Sequence, residues 1–426
     1  MILSVALGLF ALLALTIPVG IVLFLLGFGV DVWFSPFPLI RGLGQVIWSS
    51  SSSSTLIAIP FFVLLGEILV RGGVAARTYS ALDTWLGWLP GGLVHANIGT
   101  ATMFSATSGS SVATAATVAT VAMPQAERLN YDPRLFSGAI AAGGTLGILI
   151  PPSINLIVYG FLTETSIPRL FLAGLIPGLL MALTFVIVTA LICLVAPSLG
   201  GPRRHYSWEE RLGSLVHLLP IIALFVVVVG SIYAGWATPT ESAAVGVAMA
   251  LAIAMPGGSI NLRSLQACLL GTVRVTSMIM LVVIAAYFLN FTLASAGLGQ
   301  KLTALITSYD LTPLGTLWLI IVLYIVLGFF VETLSLMVAT IPITVPIIAS
   351  LGFDTIWFGV LMIVLVEMAL ITPPVGLNLY VVQGARRSGH LGEVMVGALP
   401  YVAVMMAMVV ALVAFPQIAL FLPDRL

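Results

Sequence analysis

The sequence predicts an all-α integral membrane protein, and three observations predict it. Of 426 residues, 60% are hydrophobic and only 7% are charged. A soluble domain carries about 25% charged residues, so a water-facing surface cannot be built. Uncharged runs cover 1–30, 84–126, 135–163, 170–202, 212–240, 275–300 and 394–423, and a helix needs roughly 20 apolar residues to cross the hydrocarbon core. The runs also lack the apolar–polar alternation of barrel strands. Backbone groups in lipid must be satisfied internally, so helices remain.

The elements follow in chain order. The N-terminal stretch MILSVALGLFALLALTIPVGIVLFLLGF has no basic n-region, and its apolar run exceeds that of a signal peptide. A retained first span over about 3–28 is expected. Further segments fall at about 54–70, 82–104, 108–124, 134–162 and 170–197. The one sizeable polar stretch is GGPRRHYSWEERLG, 200–213; its three Arg place it in the cytoplasm by the positive-inside rule. After it come about 215–235, 238–256, 268–292, 313–328, 331–349, 355–383 and 395–423. Zero formal net charge argues against a nucleic-acid partner. Cys193 and Cys268 lie in apolar segments and imply no disulfide framework.

The two parts match at an offset of 222 residues. Pro124 meets Pro346, Asp132 meets Asp354, Phe136 meets Phe358, and Pro151-Pro152 meets Pro373-Pro374; one inserted residue later, Asn155 meets Asn378. This predicts an internal repeat, 1–199 and 214–426, joined by the 200–213 linker. Secondary transporters are commonly built from such repeats, with the site where they meet.

Each Pro-Pro pair sits near the middle of a long apolar segment, at about 134–162 and 355–383. Proline removes an N–H and clashes with the preceding turn, so two in a row should unwind the helix. Gly143, Gly144 and Gly147 loosen the first break and Gly376 the second. The freed carbonyls need partners that lipid does not offer, and a cation is a suitable one. A simple Pro kink is the blander reading; a pair of breaks at matched positions argues against it.

Upstream of each break lies a second odd segment. FSATSGSSVATAATVATVAMP, 104–124, concentrates Ser105, Thr107, Ser108, Ser110 and Ser111. A re-entrant hairpin over about 100–124 fits better than a lipid-facing span, although small residues also serve helix–helix packing. The counterpart is a hairpin at about 329–349 with its tip at Glu332 and Thr333. A carboxylate at membrane depth is a functional candidate; Glu332 either joins a cation site or stabilises the hairpin. Glu241 and Glu367 are similar but weaker candidates, and Glu67 with Arg71 reads as a structural i,i+4 pair. Helix N-termini attract carboxylates, whereas C-terminal ends and unwound carbonyls take sodium. The pattern therefore suggests two cation sites flanking an anionic solute.

GILIPPSI (147–154), ITPPVGLNLYVV (371–382), SATSGSSVATAA (105–116) and WATPTESAAVGV (236–247) together resemble the large membrane subunit of the tripartite ATP-independent periplasmic (TRAP) transporters. The resemblance covers nearly the whole chain. It implies a sodium-driven importer of organic acids in the bacterial inner membrane. It also implies two inverted repeats in an elevator fold, a mobile transport domain against a scaffold. Two partners are implied as well: a small four-helix membrane subunit and a periplasmic substrate-binding protein. Sodium would be the only metal, with no other cofactor.

Carried onto this chain, sodium site 1 would use Ser105, Ser108, Gly109 and Ser110, with carbonyls near Gly144, Gly147 and Pro151. Sodium site 2 would use Glu332, Thr333, Thr372 and Pro373. Substrate would lie between, near Ser108, Ser110, Ser153, Asn155 and Asn378. A self-sufficient sodium–organic anion symporter and a passive channel stay open. An intramembrane enzyme is disfavoured, because the four His show no metal-ligand spacing.

Overall fold

In the computed structural model, residues 1–35, 38–108, 110–255, 260–298, 301, 312–386 and 389–425 are described, without the side chains of 2–3 and 105–108. The expected first span is two helices, α1 (Ile2–Ala14) and α2 (Val19–Phe34). Hydropathy sees one run, but Pro18 begins α2 and Thr16 adopts φ 58°, so the chain turns between them. A short helix α3 (Leu43–Ser51) holds the first serines of the Ser49–Ser54 run as an ordinary helix end. There the Ser50 hydroxyl donates to the Val46 carbonyl at 2.8 Å.

Next come α4 (Ala58–Arg71) and α5 (Val74–Leu86), bent by 68° where Gly73 takes φ 68°. Glu67 and Arg71 pair at 2.7 Å, as their i,i+4 spacing predicts. The first hairpin is longer than expected: α6 (Leu93–Ser108) and α7 (Ser111–Arg128). The first broken helix is α8 (Pro133–Thr145), one 3-10 turn at 146–148, the Pro151-Pro152 break, and α9 (Ile154–Thr163). Helix α10 (Ile167–Val195) then runs for 29 residues to the linker. The linker is irregular only to Ser207; a capping box between Ser207 and Glu210 starts α11 (Trp208–Tyr233) inside the expected polar stretch.

Helices α12 (Pro239–Ala254) and α13 (Leu262–Ser295) follow. Glu241 belongs to the α12 capping box with Thr238, a structural role. The second hairpin comprises α14 (Pro313–Gly328) and α15 (Thr333–Ser350), joined by residues 329–332. The range expected from sequence held only its tip and second limb. The second broken helix is α16 (Thr355–Ala369), the Pro373-Pro374 break and α17 (Leu377–Arg386). Helix α18 (Leu391–Ala414) and a last turn, α19 (Gln417–Leu420), end the chain.

The sequence offset recurs in the helix boundaries. Second hairpin limbs 111–128 and 333–350 differ by 222 at both ends; α9 and α17, 154–163 and 377–386, differ by 223, the one inserted residue. Asp132 and Asp354 each accept from the backbone N–H groups two and three residues on and start α8 and α16. Both Pro-Pro bonds are cis.

The broken helices form the centre. Every residue of α8 from Leu135 on, and of α16 from Ile356 on, is buried. By contrast α10, α11 and α13 turn Leu183, Leu191, Val216, Val226, Leu270 and Val273 outward. In water that apolar surface would be prohibitive; lipid is the solvent it suits. Among the described residues, five helices are long and apolar enough to cross a membrane, or six if α4 and α5 count as one bent span. The chain is a multi-pass membrane protein.

Candidate functional site

Both hairpin tips and both breaks line one cavity of about 80 Å³. Ser110, Ser111 and Val112 come from the first tip, and Glu332, Thr333 and Leu334 from the second. Ile148, Ile154 and Asn155 flank the first break, Leu370 precedes the second, and Val275, Met278 and Ile279 of α13 close the wall. Residues far apart in sequence thus meet because each hairpin packs between the first part of its own broken helix and the second part of the opposite one.

The tips present helix N-termini to this cavity. Ser110 caps α7, its hydroxyl accepting from the Ala113 N–H at 3.3 Å. Glu332 caps α15, its carboxylate accepting from the Ser335 N–H at 3.1 Å. Exposed N–H groups and the helix dipole make this a region that attracts anions. The C-terminal ends of α8 and α16 face the opposite polarity, carbonyls outward, as cation binding needs. Glu332 is exposed and does the hairpin-stabilising work that sequence left as one of its two readings.

The other candidates divide. Asn155 lines the cavity, is buried, and its Nδ2 has no hydrogen-bond partner. Gly144 packs against the first tip; a Cβ there would meet the Ser111 carbonyl at 2.9 Å and the Asn378 Nδ2 at 3.3 Å. That contact joins the first hairpin to residues of both breaks. Asn378 is buried behind the cavity and donates to the Ala141 carbonyl at 3.2 Å. Ser153 is spent on capping α9, accepting from the Leu156 N–H at 3.3 Å. Neither Ser153 nor Asn378 lines the cavity. The Thr372 hydroxyl donates back to the Met368 carbonyl at 2.6 Å. Gly147, Pro151 and Pro152 are buried, while Pro373 is half-buried and Pro374 exposed. Gly109 and the side chains of Ser105 and Ser108 lie outside the described residues.

Two residues that the sequence reading named but left outside its site sets, Glu367 and Ser111, meet here. Glu367 is 1% exposed, and its Oε2 accepts a 2.5 Å hydrogen bond from the Ser111 hydroxyl, 256 residues away. The signal was present: Glu367 is the one charged residue between Asp354 and Arg386, and a lone intramembrane carboxylate is a candidate by default. The part α13 plays carries no signal in its apolar sequence.

The family model described as the tripartite ATP-independent periplasmic transporter, DctM component, matches residues 6–418. The C4-dicarboxylate TRAP transporter large permease protein DctM of Pseudomonas aeruginosa is 35% identical over 92% of this chain and 91% of that one. The sialic acid TRAP transporter large permease protein SiaM of Vibrio cholerae is 32% identical over 87% and 86%. The 2,3-diketo-L-gulonate TRAP transporter large permease protein YiaN of Escherichia coli is 30% identical over 95% of each. Among solved structures, the YdaH transporter of Alcanivorax borkumensis superimposes with TM-score 0.62 at 14% identity, covering 89% of both chains. MtrF of Neisseria gonorrhoeae gives 0.60 at 15%, covering 90% and 84%; at such identities the likeness concerns fold alone. With a family match that spans nearly every helix described above, the chain belongs to the DctM family, the large permease component of tripartite ATP-independent periplasmic transporters.

Proposed function

We propose that this permease carries a small organic anion inward across the bacterial inner membrane, driven by sodium. It would act with a small four-helix membrane subunit and a periplasmic substrate-binding protein. One observation carries the reading: both tips and both breaks share a single cavity. N–H groups from two helix starts favour an anion there, and carbonyl ends beside it favour cations. The named relatives transport C4-dicarboxylate, sialic acid and 2,3-diketo-L-gulonate; a carboxylate is what these share.

Sodium site 1 is assigned to Ser105, Ser108, Gly109 and Ser110 with the carbonyls near Gly144, Gly147 and Pro151. Sodium site 2 is assigned to Glu332, Thr333, Thr372 and Pro373. Of the substrate candidates, Ser110 and Asn155 are favoured because they line the cavity; Ser108 remains assigned, while Ser153 and Asn378 act behind it. Two inverted repeats, 1–199 and 214–426, form an elevator in which hairpins and broken helices move against α4, α5, α11, α12 and α13.

The test is uptake by proteoliposomes containing this chain and the small subunit, with an inward sodium gradient and a carboxylate-loaded binding protein. Uptake is expected only with both present. Uptake of the same carboxylate without the binding protein would overturn the tripartite reading, and uptake unchanged when potassium replaces sodium would overturn sodium coupling.

A further inference from the structure

The offset of 222 that aligns the two halves pairs Ser111 with Thr333, since 111 + 222 = 333. Both are first residues of second hairpin limbs, directly after the capping residues Ser110 and Glu332. Both are buried, at 2% exposure each. Both face the same carboxylate. The Ser111 hydroxyl donates to Glu367 Oε2 at 2.5 Å. Thr333 is the second hydroxyl that interacts with Glu367, in a looser geometry than Ser111. One arm of a two-armed contact is tight and the other slack.

Nothing comparable exists at the matching place in the first half. There 367 − 222 = 145, and Thr145 turns its hydroxyl to the Ala142 carbonyl at 2.7 Å. A single carboxylate near the end of α16, six residues before Pro373, therefore serves both tips. Among the described residues, no ion pair reaches it. A buried carboxylate without a counter-charge is costly, so the site tolerates it for what it holds in place.

We propose that Glu367 is a positioning residue that clasps Ser111 and Thr333, so that the geometry of one tip sets the geometry of the other and cations at the two sites bind cooperatively. This rests on the two-site sodium reading above. A rigid carboxylate shared by two hydroxyls transmits position: tightening the Thr333 arm draws the second tip toward the break while the first is already held. Coupling between sites typically amounts to a 5- to 150-fold change in affinity, which one charge-assisted hydrogen bond can supply.

The experiment measures sodium activation of uptake in proteoliposomes for the wild type, Ser111→Ala, Ser111→Thr and Glu367→Gln. The wild type should be cooperative in sodium. Ser111→Ala should bring the Hill coefficient toward one and raise half-saturating sodium about fivefold or more, and Ser111→Thr, which restores a hydroxyl, should recover most of both. Glu367→Gln keeps the shape but weakens both arms and should resemble Ser111→Ala; if it does not fold, the Ser111 pair decides. Cooperative wild-type activation that survives Ser111→Ala unchanged overturns the clasp and leaves sodium coupling standing. A Ser111→Thr variant as defective as Ser111→Ala also overturns it, because packing rather than the hydroxyl would then matter. Wild-type uptake indifferent to sodium overturns both this inference and the function on which it rests.

Discussion

Asn155 holds a buried amide nitrogen with no hydrogen-bond partner on the cavity wall. Leaving such a group unpaired costs about 1–3 kcal/mol, so a partner in the working state is expected to be the substrate. Asn155→Ala should therefore leave thermal stability unchanged or slightly higher, while the KM for the transported solute rises about tenfold, the equivalent of 1.4 kcal/mol. A fall in stability with unchanged KM would make the residue structural. The same scale shows where sequence stops. That Asn155 and Glu332 sit near breaks and tips was legible, because Pro-Pro, Ser-rich and lone-charge signals are local. That Ser153 caps a helix, and that Ser111 reaches Glu367, was not, because those facts depend on rotamers and on contacts between halves.

At the scale of elements, the breaks were legible because proline acts on its own helix. The first limbs of the hairpins were not: 93–99 merges into the apolar segment 82–104, and 313–328 reads as a segment of its own. The turn between α1 and α2 was hidden for the same reason. Packing of α8 on α18 was also invisible, since two glycines carry it. A Cβ on Gly138 would run into the Gly397 backbone, and one on Gly397 into the Arg134 carbonyl; small residues are what let membrane helices approach this closely. Overpacking costs about 1–3 kcal/mol and more where backbone must shift. Gly397→Val should accordingly lower the melting temperature in detergent and the yield of folded protein. Gly392→Ala, in the same helix with open space around it, should be nearly neutral. Equal stability of the two variants would refute the close-contact account.

For the whole molecule, composition established the solvent, and the 222-residue offset of the sequence recurs at both ends of the second hairpin limbs. How α5, the linker and α11 are held together needed the structure. Asp83 of α5 is 6% exposed and accepts from Arg204 at 2.9 Å and from the Tyr206 hydroxyl at 2.7 Å. Burial, and then the Asp83 carboxylate, push the Tyr206 hydroxyl above the usual tyrosine range, so it stays a donor at physiological pH. Trp85 Nε1 donates to Ser214 of α11 at 3.1 Å, and the Arg204 N–H donates to the Gly87 carbonyl. Arg204→Ala leaves Asp83 with Tyr206 alone, a loss of about 1–3 kcal/mol. Linker residues 200–207 should then be cleaved faster by protease added to inside-out membrane vesicles. Resistance equal to wild type would show that the pin does not hold the linker, and faster cleavage only in right-side-out vesicles would reverse the assigned orientation.

The turn at Pro18 has a consequence for the lipid. Helices α1 and α2 have 13 and 16 residues, which at 1.5 Å per residue reach about 20 and 24 Å. The hydrocarbon core is about 30 Å thick. Neither helix is long enough to span it upright, and mismatch of this kind is met by bilayer thinning, by flanking side chains reaching the interface or by association with other helices. Trp33 near the end of α2 and Trp48 in α3 are 77% and 70% exposed, and Trp is the side chain that favours the membrane–water boundary. Acyl-chain length is therefore expected to be a variable of this edge's behaviour: transport in thinner bilayers should tolerate the short helices better than in thicker ones.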